Sequence, residues 1–432
     1  MKLRWLVTLG AAFAACGPAA DEVPPAPAER PAAAESPAPV DQTAIEDLEG
    51  TPGRWHRAPD LSAEQQRSLA ALEGIGYAAG SEPAAAESGV TVHDATRAAE
   101  GLSFYTSGHA PEALLIEMDG TVRHRWHLAA STVWPDDADL ARLPGAQNWR
   151  RAHLFSNGDV VAIFAGVGIV RLRADSSLVW SLRCRAHHDL AVAPDGAIWT
   201  LSRRLGVRPE VHPTEPVVDD TLLVLSPAGE VLRELSLIDA FRASEFADQA
   251  FRLDRGDLFH TNAIELLDGR LESRLPAFRA GNVLISLREP DLLAVVDPDA
   301  ERVVWTHHGR FRKQHDPRVL DNGHLLLFDN LGLGDRSRIL EFDPVTGERI
   351  WALGKGAAVS FFSETCGTVA RLDNGDTLVC ESDGGRAFEV TSAGELVWEF
   401  RSPHRAGPAG EYVATLFDLQ RLPPDFPTDW LD

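Results

Sequence analysis

Positive charge is scarce in this sequence: 41 Lys and Arg stand against 64 Asp and Glu, a net charge of −23. Nucleic-acid binding relies on Lys and Arg neutralising the phosphate backbone, so that class of partner is excluded. An anionic membrane surface is an equally poor match. A buried anion site stays open, because local residues and not net charge decide it. Cysteine is sparse as well, with four in 432 residues. Cys184, Cys366 and Cys380 would remain after removal of an N-terminal signal; three leave one odd, so no pairing is assigned, and buried thiols acting as small apolar residues are the other reading. Tyrosine is reduced to Tyr77, Tyr105 and Tyr412, so aromatic contacts must come mainly from Trp and Phe.

What is present begins with "MKLR", a short basic stretch, and "WLVTLGAAFAAC", an apolar run too short to span a bilayer comfortably. Small residues lead into Cys16 and Gly17, as in a bacterial lipoprotein signal whose cysteine is lipidated and becomes the first mature residue. Phe13 stands where Leu is more usual, and a plain secretory signal is the alternative. The expectation is an exported, periplasmic or cell-envelope lipoprotein that touches the membrane only through its N-terminal anchor. Residues 1–16 form the signal. The Pro/Ala/Glu-rich stretch over 17–60 lacks the apolar side chains needed to offset ordering entropy and is predicted to be a disordered tether. A short helical segment falls within 61–90, its helix starting at an N-cap serine in "SAEQQRSLAALEGIGYAAG".

From 91 to 432 the pattern is all-β. One phrase recurs six times: apolar strand, Asp/Ser turn with Gly nearby, then a strand often ending in Trp, as in "ALLIEMDGTVRHRWHL" and "RAFEVTSAGELVWEFRS". Between the copies lies a second hairpin phrase with "NG" or "DG" at its turn, as in "RRAHLFSNGDVVAIF". Two hairpins make four antiparallel strands, one propeller blade. Five blades can be written from 150 to 402. The sixth takes its outer strands from 101–128 and its inner strand from the C-terminal "EYVATLFDL", closing a six-bladed β-propeller and removing free edges. An open β-solenoid is the rival. Insertions at 203–221 and 238–259 read as loops near the mouth.

The innermost strand of a blade lines the central channel, so residues that open the second phrase converge on the axis. Aligned on Gly196, Gly269, Gly323 and Gly375, His188 falls on His315 and Gly367, while His187 falls on His260, Gln314 and Cys366. A lone histidine at a strand start is usually just polar; three in one repeat, where strand packing needs none, point to a site. Arg288, at an apolar strand end, needs a partner, and Asn262 adds an amide. Three imidazoles can hold a metal. The neighbouring Arg is a poor companion for a cation, however, and H-x-H spacings are missing from this cluster. The preferred chemistry is covalent, one neutral imidazole attacking while Arg and a second His stabilise charge on the transferred group.

"HHDL…PDG", "FHTNAIELLDG", "ISLRE", "QHDPRVLDNG…LLFDN" and the "DG.V.H.W" phrase at 119–126 together resemble the bacterial arylsulfotransferase family, in the same order as in that family over roughly residues 90–420. The resemblance implies an exported six-bladed propeller that moves a sulfuryl group from a phenolic sulfate ester to a phenolic acceptor. It implies no cofactor, no metal and no use of the nucleotide sulfate donor PAPS. The implied mechanism is ping-pong through a sulfated histidine. By motif the nucleophile is His315, with His260, Asn262, Arg288 and one of the pair His187/His188 as the polar set, and Thr368 and Gln314 as substrate contacts. Trp126, Trp134, Trp149 and Phe361 or Phe362 are candidates for aromatic contacts, blade packing being the other reading. Against the enzyme stand a tethered propeller that binds a ligand or scaffolds partners without chemistry, and a metal-dependent propeller enzyme.

Overall fold

The computed structural model describes residues 82–431, apart from 139, 214–215, 255 and 355–357. The expected signal peptide, Cys16, the tether and the helix over 62–77 lie outside the described residues. Within 82–90, Pro83 makes an isolated bridge to Tyr412, and Gly89–His93 is a strand on the outer edge of the last blade.

Six antiparallel sheets follow one another around a ring. Blade 1 has Leu416–Arg421 as its innermost strand and Val122–His127 outermost. Blade 2 runs from Arg151–Leu154 to Leu178–Leu182. Blade 3 runs from His187–Val192 to Val231–Ser236, and blade 4 from Thr261–Leu266 to Arg302–His307. Blade 5 runs from His315–Val319 to Arg349–Leu353, and blade 6 from Thr368–Arg371 to Leu396–Arg401. The C-terminal strand pairs inside Ser103–Ser107, with Ser103 opposite Arg421 and Tyr105 opposite Leu419. The ring is therefore closed, and the open solenoid is ruled out.

Burial explains the sequence pattern. Middle strands such as Val160–Phe164 and Val283–Leu287 are buried at every position, because each blade is covered on both faces by its neighbours. Outermost strands keep one face in water: in Val122–His127 only Trp126 is buried. The tight turns need glycine where the backbone goes left-handed, as at Gly323 of "DNG", φ 79°.

The tryptophan near the end of the outer strand has a shared task. Trp126 of blade 1 donates its indole N–H to the Gly158 carbonyl of blade 2 at 2.9 Å. Trp180 reaches Pro227 of blade 3, Trp351 reaches Ser392 of blade 6, and Trp398 reaches Met118 of blade 1. Each pegs its blade to the next one round.

The two insertions differ from their expectation as loops. The strands Ile198–Val207 and Pro216–Leu225 continue pairing through Arg203 opposite Asp220 to Gly206 opposite Val217, so 203–221 is largely an extended hairpin. The charged sequence hid this, because Asp219 is neutralised locally by Arg208 at 2.6 Å. The second insertion holds two short helices, Leu237–Arg242 and Ala247–Ala250, the first capped by Ser236 and packed through Phe241 on Phe259. Gly256–Asp257 then pairs in parallel with Val217–Val218. Cys380 lies opposite Thr368, and the three cysteines among the described residues are free thiols.

Trp126→Phe keeps an aromatic ring but deletes the peg N–H and leaves a void in a fully buried position. It is expected to cost about 2–3 kcal/mol, read as a lower urea midpoint, with the circular dichroism of the folded state unchanged.

Candidate active site

The inner strands of blades 3, 4 and 5 start irregularly, and that is what aims their side chains at the axis. The ladder is interrupted between Thr200 and Leu201, between Thr261 and Ala263, and between His315 and Arg318. His188, His260 and Asp316 hold left-handed φ values of 56°, 47° and 50°, costing roughly 1 kcal/mol or more each. Bulges at a sheet rim turn side chains out of the ordinary alternation. Here they gather three imidazoles from three blades at one end of the channel.

His315 is nearly fully buried. Its Nδ1 lies 2.8 Å from Asn330 Oδ1 and 3.0 Å from the Lys313 carbonyl. The Asn330 amide is fixed in turn, since its Nδ2 donates to the Ser363 and Cys366 carbonyls, each at 2.8 Å. Both atoms facing Nδ1 can only accept, so Nδ1 carries the proton and Nε2 carries the lone pair. Burial, first of all, and then the Arg288 charge hold this imidazole well below the usual histidine range; Arg150 and His260 act in the same direction, and the Asn330 hydrogen bond opposes them.

His260 donates from Nδ1 to Asp257 Oδ2 at 2.7 Å, and its backbone N–H binds the same carboxylate at 3.0 Å. Its ring stands edge-to-face against His188, centroids 4.8 Å apart. His187 lies behind His188, with the two Nδ1 atoms 2.8 Å apart. His187 Nε2 donates to the Ser202 carbonyl at 3.1 Å, near Asp220 at 3.4 Å. The arrangement that serves both rings has His188 Nδ1–H donating to His187 Nδ1, which leaves the His188 Nε2 lone pair toward the cluster. Burial, then His260, His187, Arg150 and His315, keep His188 neutral. Of the adjacent pair, then, His188 is at the site and His187 orients it.

Arg288, buried beside them, pairs through Nη1 with Glu289 at 2.5 Å, and Lys313 holds the other Glu289 oxygen at 2.8 Å. Asn262 sits lower; its Nδ2 donates to the Gln314 carbonyl at 2.8 Å, and its Oδ1 has no hydrogen-bond partner among the described residues. Gln314 itself is turned away from the mouth. Its amide donates to Ser286 Oγ and to the Leu287 and Leu292 carbonyls of blade 4, so the expected substrate contact is instead a clamp between blades. Thr368 lines the channel one layer below the histidines, where its hydroxyl donates to Asp418 at 3.0 Å. Of the aromatic candidates, Trp126 and Trp149 are fully buried and Phe361 is wedged between Phe328 and Phe388, which is blade packing.

That lower layer is an ion cluster on the axis. Arg151 of blade 2 meets Asp189 of blade 3 at 2.8 Å, Asp418 of blade 1 at 2.9 Å and Asp316 of blade 5 at 3.3 Å. Arg318 also pairs with Asp316. The far side of the cluster faces a cavity of about 320 Å³ whose lining includes Arg318, Thr368 and Gln420.

Four residues of the site were not anticipated: Asn330, Asp257, Arg151 and Arg150. Two carried a readable signal. Arg150 precedes Gly158 by the spacing at which His188 precedes Gly196 and His315 precedes Gly323, so extending the glycine alignment to blade 2 finds it. Arg151 takes the next register, alongside Asp189 and Asp316. Asn330 and Asp257 act through contacts that the repeat pattern does not encode.

The Arylsulfotransferase (ASST) family model matches residues 151–403, more than half of the chain. No curated protein matches. Among solved structures, a protein of unknown function from Bacteroides caccae is 13% identical, covering 74% of this chain and 98% of that one at a TM-score of 0.49. A streptogramin B lyase is 10% identical over 79% and 95% at 0.42, and BamB from Moraxella catarrhalis 12% identical over 76% and 85% at 0.34. At this level the likenesses say nothing about chemistry.

Arg151→Met leaves buried carboxylates around a missing cation, and is expected to lower stability by about 3–5 kcal/mol near neutral pH. Without the guanidinium those carboxylates take up protons more readily in the folded than in the unfolded chain, so the deficit should shrink as pH falls from 7.5 to 5. Denaturant midpoints of both proteins at the two pH values check this.

Proposed function

The chain belongs to the arylsulfotransferase family, and from that premise we propose that it moves a sulfuryl group from an aryl sulfate ester to a phenolic acceptor through a sulfated His315. The observation that carries the reading is the locked tautomer: Asn330 and the Lys313 carbonyl hold the proton on Nδ1, leaving the Nε2 lone pair beside Arg288, His260 and His188. A neutral, buried, oriented imidazole is what nucleophilic attack on sulfur asks for.

In the first half-reaction the Nε2 lone pair forms the N–S bond and the S–O bond to the aryl group breaks. The electron pair leaves on the phenolate oxygen, which takes a proton from His260. Asp257 against Nδ1 balances the positive charge that His260 carries before that transfer. Arg288 is the fixed cation for the charge spread over the sulfuryl oxygens. In the second half-reaction the acceptor hydroxyl gives its proton to His260 and its oxygen attacks sulfur, and the N–S electron pair returns to Nε2. His188, neutral and held by His187, is the second imidazole facing the group; Asn262 supports the Gln314 carbonyl just before His315. Residues 1–81 add a proposal from sequence alone: export, with Cys16 as the lipid anchor.

Mixing the protein with p-nitrophenyl sulfate and no acceptor should add the mass of one sulfuryl group at His315, and phenol should remove it. His315→Ala should fold normally and lose at least about 10⁴-fold in turnover. A parent protein that releases no nitrophenolate from any aryl sulfate would sink the reading. The nucleophile must be neutral, and its folded pKa is depressed, so the attacking form persists as pH falls. The acid limb of the first half-reaction should therefore lie below the ordinary histidine range, measurable from burst rates between pH 4.5 and 8.

A further inference from the structure

The three histidines come from consecutive blades 3, 4 and 5, on one side of the axis. Across from them, at the register of His188 and His315, blade 6 offers Gly367, which has no side chain, and blade 1 brings the apolar ring of Phe417. Blade 2, facing blade 5 in the ring, brings Arg150. Its guanidinium carbon lies 4.9 Å over the Phe417 ring, and Nη2 reaches Cys366 Sγ of blade 6 at 3.4 Å. The side chain thus spans the half of the mouth that lacks histidines. Cys366 is also the residue whose carbonyl orients Asn330, and Asn330 fixes His315. Arg150 weighs on the protonation of both His188 and His315, which places its charge within reach of both rings.

Resting on the sulfuryl-transfer reading, we infer that Arg150 is a further catalytic residue, a second guanidinium that binds the sulfuryl oxygens from blade 2 while Arg288 binds them from blade 4. A single cation on one wall leaves part of a three-oxygen group unmatched; two guanidiniums from different blades match it from two directions while the sulfur moves between oxygen and nitrogen. The thiol that Nη2 contacts is a weaker acceptor than an anionic sulfuryl oxygen. The flat Phe417 face beneath holds the guanidinium plane without competing for its N–H groups.

The test uses Arg150→Met and Arg150→Lys in the full chain, with near-ultraviolet circular dichroism to check packing. Burst release of nitrophenolate and sulfation of His315 are followed without acceptor. The expected loss is about 10²-fold or more for Met, with partial recovery in Lys, which keeps the charge but not the fork. A folded Met variant that sulfates His315 within a few-fold of the parent rate overturns the inference. If Met does not fold, Lys carries the test: a rate equal to the parent overturns the need for a planar two-pronged donor. Should the parent itself form no sulfohistidine, the sulfuryl-transfer reading has failed, and titration with inorganic sulfate decides about Arg150. Binding that weakens about tenfold in the Met variant keeps Arg150 as an anion donor; equal binding, or none by the parent, removes it.

Discussion

Arg151 lies on the propeller axis with carboxylates from three other blades around it, and this cluster sets the geometry of everything above it. Asp189 and Asp316 also accept backbone N–H groups, from Ile264 of blade 4 and Val369 of blade 6. Asp418 takes the Thr368 hydroxyl. All six inner strands are thereby tied to one buried network. Such a network adds little net stability over apolar packing. What it does is forbid slippage: moving one strand by a residue would bury an unpaired carboxylate and turn its partner to the wrong face. The imidazoles of His188 and His315 stand one residue earlier on the same strands. Their mutual distances are inherited from the ion cluster below.

Electrostatics at the two levels differ in kind. The lower layer pairs full charges. The upper layer sets His188 and His315 beside arginines, where burial and positive neighbours both disfavour protonation of these two imidazoles. A chain of net charge −23 can hold such a region because the acidic excess lies elsewhere, in exposed carboxylates such as Glu100, Glu230 and Glu245. Net charge argued against a class of partner without describing the site.

Periodicity carried the fold. The turn glycines and recurring hairpin phrases gave six blades, and the same glycines put His188 in register with His315. The reading stopped where function depends on contacts between blades. Asn330 belongs to a quoted motif, yet its role requires the Ser363 and Cys366 carbonyls of a distant loop. Gln314 shares His187's register, but a bulge one residue later turns it into the seam with blade 4. Asp257 reaches His260 only because the insertion folds back on the extended hairpin. The tryptophans were legible as repeats; their being pegs to the next blade follows from ring closure.

Asp418 and Phe417 sit on Leu416–Arg421, while the strand it pairs with, Ser103–Ser107, is made far earlier in the chain. Until Leu416–Arg421 arrives, blade 1 has no inner strand, Arg151 lacks one of its three carboxylates, and the guanidinium of Arg150 lacks the Phe417 ring beneath it. All the strands of blades 2 to 6 therefore exist before the pocket does, and it is completed only when this strand joins the arc they form.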